Sequence, residues 1–215
     1  MSAGVTNKPV VAKPANKPVV AAFDFDGTLT RRETLLPFLL HMLGATAVAR
    51  HALVLSPTLV AYRLGLIRND VAKERVFVQC LAGKRMDELQ EAGERFAAHV
   101  LPGLLRQEAM QRLEWHRQQG HRCVVTSASL DIYVRPWAVK AGFDDVIATH
   151  LETHGDGRTT GKLSGGNCFG IEKVRRLEAL LGAREDYSLY AYGDSRGDRE
   201  LLSSADYAYY RQIPG

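Results

Sequence analysis

The sequence predicts an α/β fold, a doubly wound, Rossmann-like parallel sheet with a helical cap domain inserted into it. Short apolar runs without polar alternation recur along the chain and end in Asp, Ser or Gly, which is typical of parallel strands buried on both faces. Segments with helical spacing of apolar residues separate these runs, as in βαβ units. The 215 residues are enough for one such core and a smaller insertion.

The composition is that of a globular protein. Hydrophobic residues make up 46% and charged residues 24%, which excludes wholesale disorder. The net charge of +4 is small and scattered, so we expect no nucleic-acid partner. Three separated cysteines form neither a disulfide framework nor a CxxC site, and no apolar run reaches 18 residues. We therefore expect a protein of the reducing cytoplasm.

The strands are predicted in chain order. Residues 1–17, rich in Lys, Pro, Ala and Asn, are expected to form a flexible tail. The first strand lies in the apolar run that starts at Pro18 and ends in acids before Gly27. Four further runs predict strands, the last of them near an edge of the sheet: 121–129, 144–149, 188–195 and 206–210.

The connections between the strands differ in length and kind. Residues 130–141 and 170–182 have helical spacing, and the turn-rich residues 150–167 predict a short hairpin. Residues 34–100 contain four helical segments, with breaks near Gly44, Arg68–Asn69 and Gly83. This block is too long for a single crossover. We interpret it as the helical cap, which leaves 18–33 and 101–215 as the core.

The motif Asp24-Phe25-Asp26-Gly27-Thr28-Leu29-Thr30 is the sharpest local signal. Asp24 ends a buried strand, and Asp26, two residues later, should turn its side chain to the same side. Gly27 permits the turn. One carboxylate of such a pair can act as a nucleophile while the other transfers a proton. Taken alone, the motif is also compatible with a calcium loop or a plain turn.

Polar residues at the ends of other strands accompany this motif. The second strand is expected to end at Thr126, and the fourth is followed by Asp194 and Asp198. Lys173 lies in the first turn of the intervening helix. Because ligands of parallel sheets bind beyond the carboxyl ends of the strands, we expect these groups to meet there.

These motifs together resemble the haloacid dehalogenase superfamily of phosphohydrolases, from about Pro18 to Tyr210. The position of the insertion, before Thr126, resembles the phosphoserine-phosphatase-like subfamily IB. Residues 168–174 and 190–195 are similar to segments of histidinol-phosphatases and of phosphatidylglycerophosphatase C. The resemblance implies a phosphatase of small phosphorylated metabolites, dependent on Mg2+ and working through an aspartyl-phosphate intermediate.

The resemblance also implies roles for the catalytic and metal-binding residues. Asp24 would be the nucleophile, and Asp26 would protonate the leaving oxygen and later deprotonate water. Asp24, Asp194 and the carbonyl of Asp26 would bind Mg2+. Lys173 would offset negative charge in the transition state, and Asp198 would orient Lys173 or the water shell of the metal.

The remaining implied contacts concern the phosphate and the rest of the substrate. Thr126 and Ser127, with the amides that follow, would bind phosphate oxygens, and Ser127 or Ser129 is expected to cap the next helix. Glu33 lies where phosphoserine phosphatases contact the substrate amine. A glutamate in the first turn of a helix explains Glu33 equally well.

Two alternatives to a phosphatase of soluble metabolites stay open. Asp26 favours phosphate esters over carbon–halogen bonds, whose cleavage needs no acid. Residues 51–67 are apolar, which would suit a phosphatidylglycerophosphatase-like enzyme at a membrane surface. Only 12 residues separate Arg50 from Arg63, however, and Pro57 interrupts them, so a buried pair of cap helices is the first interpretation. The other alternative is a phosphate-binding regulatory module without turnover. The sequence specifies neither the substrate nor the oligomeric state.

Overall fold

A single six-stranded sheet organises the protein, which is described here by a computed structural model over residues 17–214. The predicted tail therefore lies, except for Lys17, outside the described residues. The strands are β1 (Val19–Phe23), β2 (Arg122–Leu130), β3 (Asp145–Thr153), β4 (Thr159–Ser164), β5 (Ser188–Gly193) and β6 (Tyr207–Tyr210). Their order is β4-β3-β2-β1-β5-β6, and all neighbours are parallel except the β3–β4 hairpin. This confirms the predicted fold class.

Both faces of the central strand β1 are buried, which explains its continuous apolarity. Ala21 and Phe23 face one hydrophobic cluster, and Val20 and Ala22 face the other. Ala22 lies opposite Val124 of β2 and Ala191 of β5. The helices that pack on the parallel strands are α5 (Gln107–Gln118), α6 (Asp131–Ala141), α7 (Ile171–Leu181) and α8 (Arg199–Ser204). Four further helices precede them in the chain: α1 (Leu35–Leu43), α2 (Ala45–Arg63), α3 (Asn69–Leu81) and α4 (Met86–His99).

The helices α1–α4 lie between β1 and β2, with the breaks that the sequence predicted. They share a hydrophobic core with α6, because Phe38 of α1 and Phe96 of α4 both pack on Tyr133. Gly93 of α4 allows this approach, since a Cβ atom there would collide with the carbonyl of Ile132. We call residues 34–100 the helical insertion.

The two connections between the sheet and the helical insertion are paired with each other. Thr30 and Leu105 form an antiparallel bridge. The Arg31 amide donates to Leu104 O at 2.8 Å, and the Arg106 amide donates to Leu29 O at 2.9 Å. The insertion thus leaves and rejoins the core at one place, next to the Asp24 motif.

The prediction of a buried helix pair around Pro57 is wrong. Residues Ala45–Arg63 form one helix, and only Leu55 of α2 is buried. Pro57 cannot donate to Leu53 O, but the Ser56 hydroxyl donates to that carbonyl at 2.8 Å instead. The loss of one helical hydrogen bond is therefore compensated locally. Across residues 17–214, no helix has the length and the apolar character that crossing a membrane requires.

Two strands end later than predicted. The second strand does not end at Thr126, because β2 continues to Leu130 with an irregular register against β3 after Thr126. The third continues to Thr153, because its second half pairs with β4 in the predicted hairpin. The irregularity in β2 places residues 127–129 beside the Asp24 motif, as described below.

Candidate active site

The site begins where β1 ends. The Asp24 amide donates to Tyr192 O of β5 at 2.9 Å, which extends the sheet by one bond and fixes the backbone of Asp24. The chain then turns through Phe25–Leu29, where Gly27 has a φ of 79°. A Cβ atom on Gly27 would collide with the carboxyl group of Asp194. Only glycine satisfies both the left-handed backbone and this close approach.

Lys173 joins three acceptors beneath Asp24. Its ammonium contacts Asp24 Oδ1, donates to Thr126 O at 2.9 Å and donates to Asp198 Oδ1 at 2.6 Å. Lys173 is 2% exposed, so its charge is held by these partners and not by water. Burial by itself would lower the pKa of Lys173, but the carboxylates of Asp24 and Asp198 outweigh that effect and raise it.

Asp198 supports both Lys173 and the loop after β5. While Oδ1 binds Lys173, Oδ2 accepts from the Ser195 amide at 3.0 Å, from the Ser195 hydroxyl at 2.7 Å and from the Asp194 amide at 3.3 Å. Burial opposes ionisation here, yet Lys173 and the Ser195 donors hold the pKa of Asp198 below its usual value. The loop that carries Asp194 is therefore fixed by Asp198.

Three carboxylates offer a place for a cation. Ligand oxygens of Asp24, Asp194 and Asp198 all lie within 4.8 Å of one another. Asp194 Oδ1 is buried and has no hydrogen-bond partner among the described residues. Burial and the charge of Asp198 raise the pKa of Asp194, and the charges of Arg211 and Lys173 oppose the rise only in part. An oxygen-rich set of this kind suits Mg2+.

The Asp24 carboxyl group has two different oxygens. Oδ1 is bound by Lys173, whereas Oδ2 receives no hydrogen bond from the described residues. Burial raises the pKa of Asp24 to about 8, the Lys173 ammonium opposes the rise, and the charges of Asp198 and Asp26 add to it. A further cation beside Asp24 would favour its ionised form.

Asp26 points to a different set of groups. Its Oδ1 accepts from the Thr34 amide at 2.8 Å and the Thr34 hydroxyl at 2.7 Å, and its Oδ2 accepts from the Ser129 hydroxyl. Hydroxyl groups can donate to a carboxylate and accept from a carboxylic acid, so both protonation states of Asp26 are accommodated. Thr34 and Ser129 thus fix Asp26 next to the Asp24 turn, and no ion pair to Asp26 forms within the described range.

Ser129 and Thr34 are site residues that the sequence analysis missed. The prediction that Ser127 or Ser129 caps the following helix is wrong, because α6 begins after Leu130 without a side-chain cap. The Ser127 hydroxyl instead accepts from the Ser129 amide at 2.9 Å. A run of Ser and Ala at a strand end was the available signal for Ser129, whereas nothing in the local pattern singled out Thr34.

Thr126 lies in β2, fully buried, next to Lys173. Its carbonyl accepts from Lys173, while its hydroxyl is buried and has no partner among the described residues. Burying an unpaired hydroxyl costs about 1–3 kcal/mol, so a hydrogen bond from Thr126 to a ligand oxygen would be favourable. Ser127 follows it and is 1% exposed.

Glu33 lies at the outer part of the cleft. The residue as a whole is exposed to solvent, although neighbouring groups partly surround its carboxyl group, and it makes no hydrogen bond with the other predicted site residues. Partial burial of its carboxyl group raises the pKa, the charge of Asp26 adds to this, and the Lys73 ammonium opposes it. Lys73, on α3, is another residue of this cleft that the sequence analysis missed.

Comparison with known proteins agrees with this geometry. The family model described as haloacid dehalogenase-like hydrolase matches residues 21–203. Protein CicA of Caulobacter vibrioides is 36% identical over 210 residues, which cover 97% of this chain and 93% of CicA. A histidinol-phosphatase of Neisseria meningitidis serogroup C is 32% identical over 130 residues, 57% of each chain.

A solved structure supports the same fold. The structure titled as the phospho-aspartyl intermediate analogue of phosphoserine phosphatase has a TM-score of 0.55 and 19% identity to this chain, and the match covers 88% of this chain and 84% of that one. The family match covers β2–β5, most of β1, the helical insertion and the site residues from Asp24 to Asp198. The chain belongs to the haloacid dehalogenase-like hydrolase family.

Proposed function

We propose that the protein is a Mg2+-dependent phosphatase that hydrolyses phosphate monoesters of small metabolites through an aspartyl-phosphate intermediate. The observation that carries this proposal is the asymmetry of Asp24. Lys173 holds one carboxylate oxygen, and the other receives no hydrogen bond from residues 17–214. The related histidinol-phosphatase supports phosphate-ester chemistry.

The residues present fit Mg2+. Asp24 and Asp194 would contribute carboxylate oxygens and Asp26 its carbonyl oxygen, while Asp198 is already engaged with Lys173 and Ser195. The unpartnered Oδ1 of Asp194 is the observation that supports this assignment. When bound, Mg2+ would offset the negative charges of the carboxylate and the phosphoryl group that must approach each other.

In the first step, the free oxygen of Asp24 attacks phosphorus. A bond forms between this oxygen and phosphorus, and the bond from phosphorus to the ester oxygen breaks. The protonated Asp26 gives its proton to the departing oxygen, so that an alcohol leaves. Thr34 and Ser129 hold Asp26 in place for this transfer.

In the second step, Asp26 acts as the base. It takes a proton from water, the water oxygen attacks phosphorus, and the bond to Asp24 breaks, which releases phosphate and restores both carboxyl groups. Thr126 would bind a phosphate oxygen through its unpartnered hydroxyl, with Ser127 shaping the turn that follows. Lys173 would stabilise the charge that develops next to Asp24.

Release of phosphate from an aryl phosphate tests the proposal directly. We expect turnover that EDTA abolishes and Mg2+ restores, and loss of turnover in Asp24→Asn with folding retained. Turnover of Asp24→Asn within tenfold of wild type would contradict the assignment of the nucleophile. Binding of phosphate with no release of product would instead favour a regulatory module without turnover.

A second candidate function is supported by α2 and the turn after it. Leu53, Val60, Leu64 and Leu66 are 77%, 57%, 68% and 73% exposed. Residues 44–68 contain three arginines and no acidic residue. Exposed apolar side chains flanked only by positive charge suit an anionic lipid surface, where the substrate would be a phosphatidyl phosphate.

Sedimentation with vesicles separates the two candidates. For the lipid phosphatase, we expect binding to anionic vesicles, weak binding to neutral vesicles and loss of binding in Leu53→Gln/Leu66→Gln. The exposed Val139 on α6 provides a control, since Val139→Gln also removes an exposed apolar residue but lies outside α2. Failure to sediment, with activity on water-soluble esters only, would eliminate the lipid phosphatase.

A further inference from the structure

Lys73 connects the helical insertion to the irregular end of β2 in the core. It lies on α3, and its ammonium donates to Ala128 O at 2.8 Å. Ala128 lies between Ser127 and Ser129, and the hydroxyl of Ser129 contacts Asp26. Lys73, from the helical insertion, and Lys173, from α7, therefore bind carbonyls two residues apart in the same end of β2.

The two lysines differ in the number of hydrogen bonds still available. An ammonium group has three N–H donors. Lys173 uses all three, on Asp24, Thr126 and Asp198. Lys73 has one acceptor among residues 17–214, and no carboxylate oxygen in that range lies within the 4.0 Å of an ion pair. Two of its donors are thus available to a ligand.

The electrostatic setting of Lys73 favours an anion. Burial lowers the pKa of Lys73, and the charges of Asp26 and Glu33 oppose this although neither forms an ion pair with it. A half-buried cation with unused donors is stabilised by a negative oxygen placed beside it. That oxygen would lie between α3 and residues 126–129 of β2.

We propose that Lys73 is a substrate-binding residue, which donates hydrogen bonds to an anionic oxygen of the substrate from the helical insertion. This inference rests on the proposed phosphatase function and adds a residue to it. The oxygen belongs either to the transferred phosphoryl group or to a second anionic group on the substrate. In both cases the bond would tie α3 to the core when substrate is bound.

Binding and kinetics of Lys73→Met test the proposal. Inorganic phosphate is titrated calorimetrically in the presence of Mg2+, and KM and kcat are measured for phenyl phosphate and 4-carboxyphenyl phosphate. If Lys73 contacts the phosphoryl group, we expect at least tenfold weaker phosphate binding and a raised KM for both esters. If it contacts a second anionic group, we expect a tenfold higher KM for the carboxylated ester alone.

Two further variants separate binding from structure. Lys73→Gln can still donate to Ala128 O but lacks the charge, so it should reproduce the change in KM with folding intact. Arg75→Met removes a cation from the exposed side of the same helix and should change neither constant by more than twofold. Changes below twofold for phosphate and both esters in Lys73→Met and Lys73→Gln would overturn the proposal.

The two proposals fail in distinguishable ways. A wild-type protein that binds phosphate but hydrolyses no ester would contradict the phosphatase function. The calorimetric comparison of wild type with Lys73→Gln would still decide the role of Lys73. An active wild type with no difference between these proteins would contradict the role of Lys73 only.

Discussion

The ammonium of Lys173 contacts the carboxylate of Asp24, which links the first turn of α7 to the end of the central strand. The two residues are 149 positions apart in the chain and almost fully buried. Because Asp198 binds the same ammonium, one positive charge is shared by two carboxylates. Fold stability and nucleophile orientation therefore depend on the same contact.

Replacement of Lys173 by Met should destabilise the fold as well as abolish activity. The substitution leaves Asp24 and Asp198 buried without their cation, and breaking a buried pair in this way costs about 3–5 kcal/mol. Urea unfolding measures the loss. Arg175→Met, which removes an exposed ion pair with Glu172 on the same helix, should cost less than about 1 kcal/mol. Equal stability of the two variants would contradict this account.

Replacement of Asp26 by Asn should affect substrates according to their leaving groups. An alkyl phosphate needs protonation of the departing oxygen, and we expect its kcat to fall by about 10²–10⁴-fold. The leaving group of a nitrophenyl phosphate, nitrophenolate, departs readily without a proton. The rate of its first step should therefore fall less in the Asn variant. Burst kinetics isolates that step from hydrolysis of the intermediate. The same loss for both leaving groups would exclude Asp26 as the acid.

Gly27→Ala should weaken Mg2+ binding in addition to the loss of stability that backbone strain causes. The left-handed φ of 79° costs about 1–2 kcal/mol for a non-glycine residue, and the new methyl group would displace the Asp194 carboxyl group. Gly120→Ala is a matched control, because Gly120 has a φ of 70° and open space around its Cβ position. We expect both variants to lose a similar free energy of unfolding from backbone strain. Only Gly27→Ala should need a higher Mg2+ concentration for half-maximal activity.

Stability should fall as the pH falls from about 6.5 towards 3, because His116 is buried in a neutral form. Burial, with the charge of Arg112, lowers the pKa of His116 to about 3. Its ring nitrogen lies 2.8 Å from the Tyr192 hydroxyl, which also accepts from Arg112. Below the unfolded pKa of about 6.5, the unfolded chain binds a proton that the native state does not, which costs up to about 1.4 kcal/mol per pH unit.

Urea unfolding at pH 7, 6 and 5 tests the role of His116. His116→Gln keeps a hydrogen-bonding group beside Tyr192 and removes the titration, so its stability should vary less with pH. His154→Gln alters an exposed histidine and should keep the wild-type slope. If His116→Gln and wild type share the same slope, the buried ring is not the source of the acid sensitivity.

The strands and helices of the protein were predictable from sequence where the spacing of apolar residues matches which residues are buried. Continuous apolar runs identified five of the strands, and breaks at residues such as Gly44 and Gly83 separated the helices of the insertion. The helix α5 was missed because its buried face carries Arg112 and His116 beside Leu113, so no apolar periodicity marks it. The exposure of α2 was missed because apolar residues on a helix normally indicate burial.

The sequence by itself determined the chemistry at the ends of the strands, since Asp24, Asp26 and Asp194 stand in short motifs whose geometry is set by neighbouring residues. Only the tertiary structure decided which groups face them. Ser129 reaches Asp26 through an irregular strand, and Lys73 reaches Ala128 from a helix 55 residues away in the chain. Such contacts depend on how separate elements pack, and that packing has no signature in the local spacing of residues.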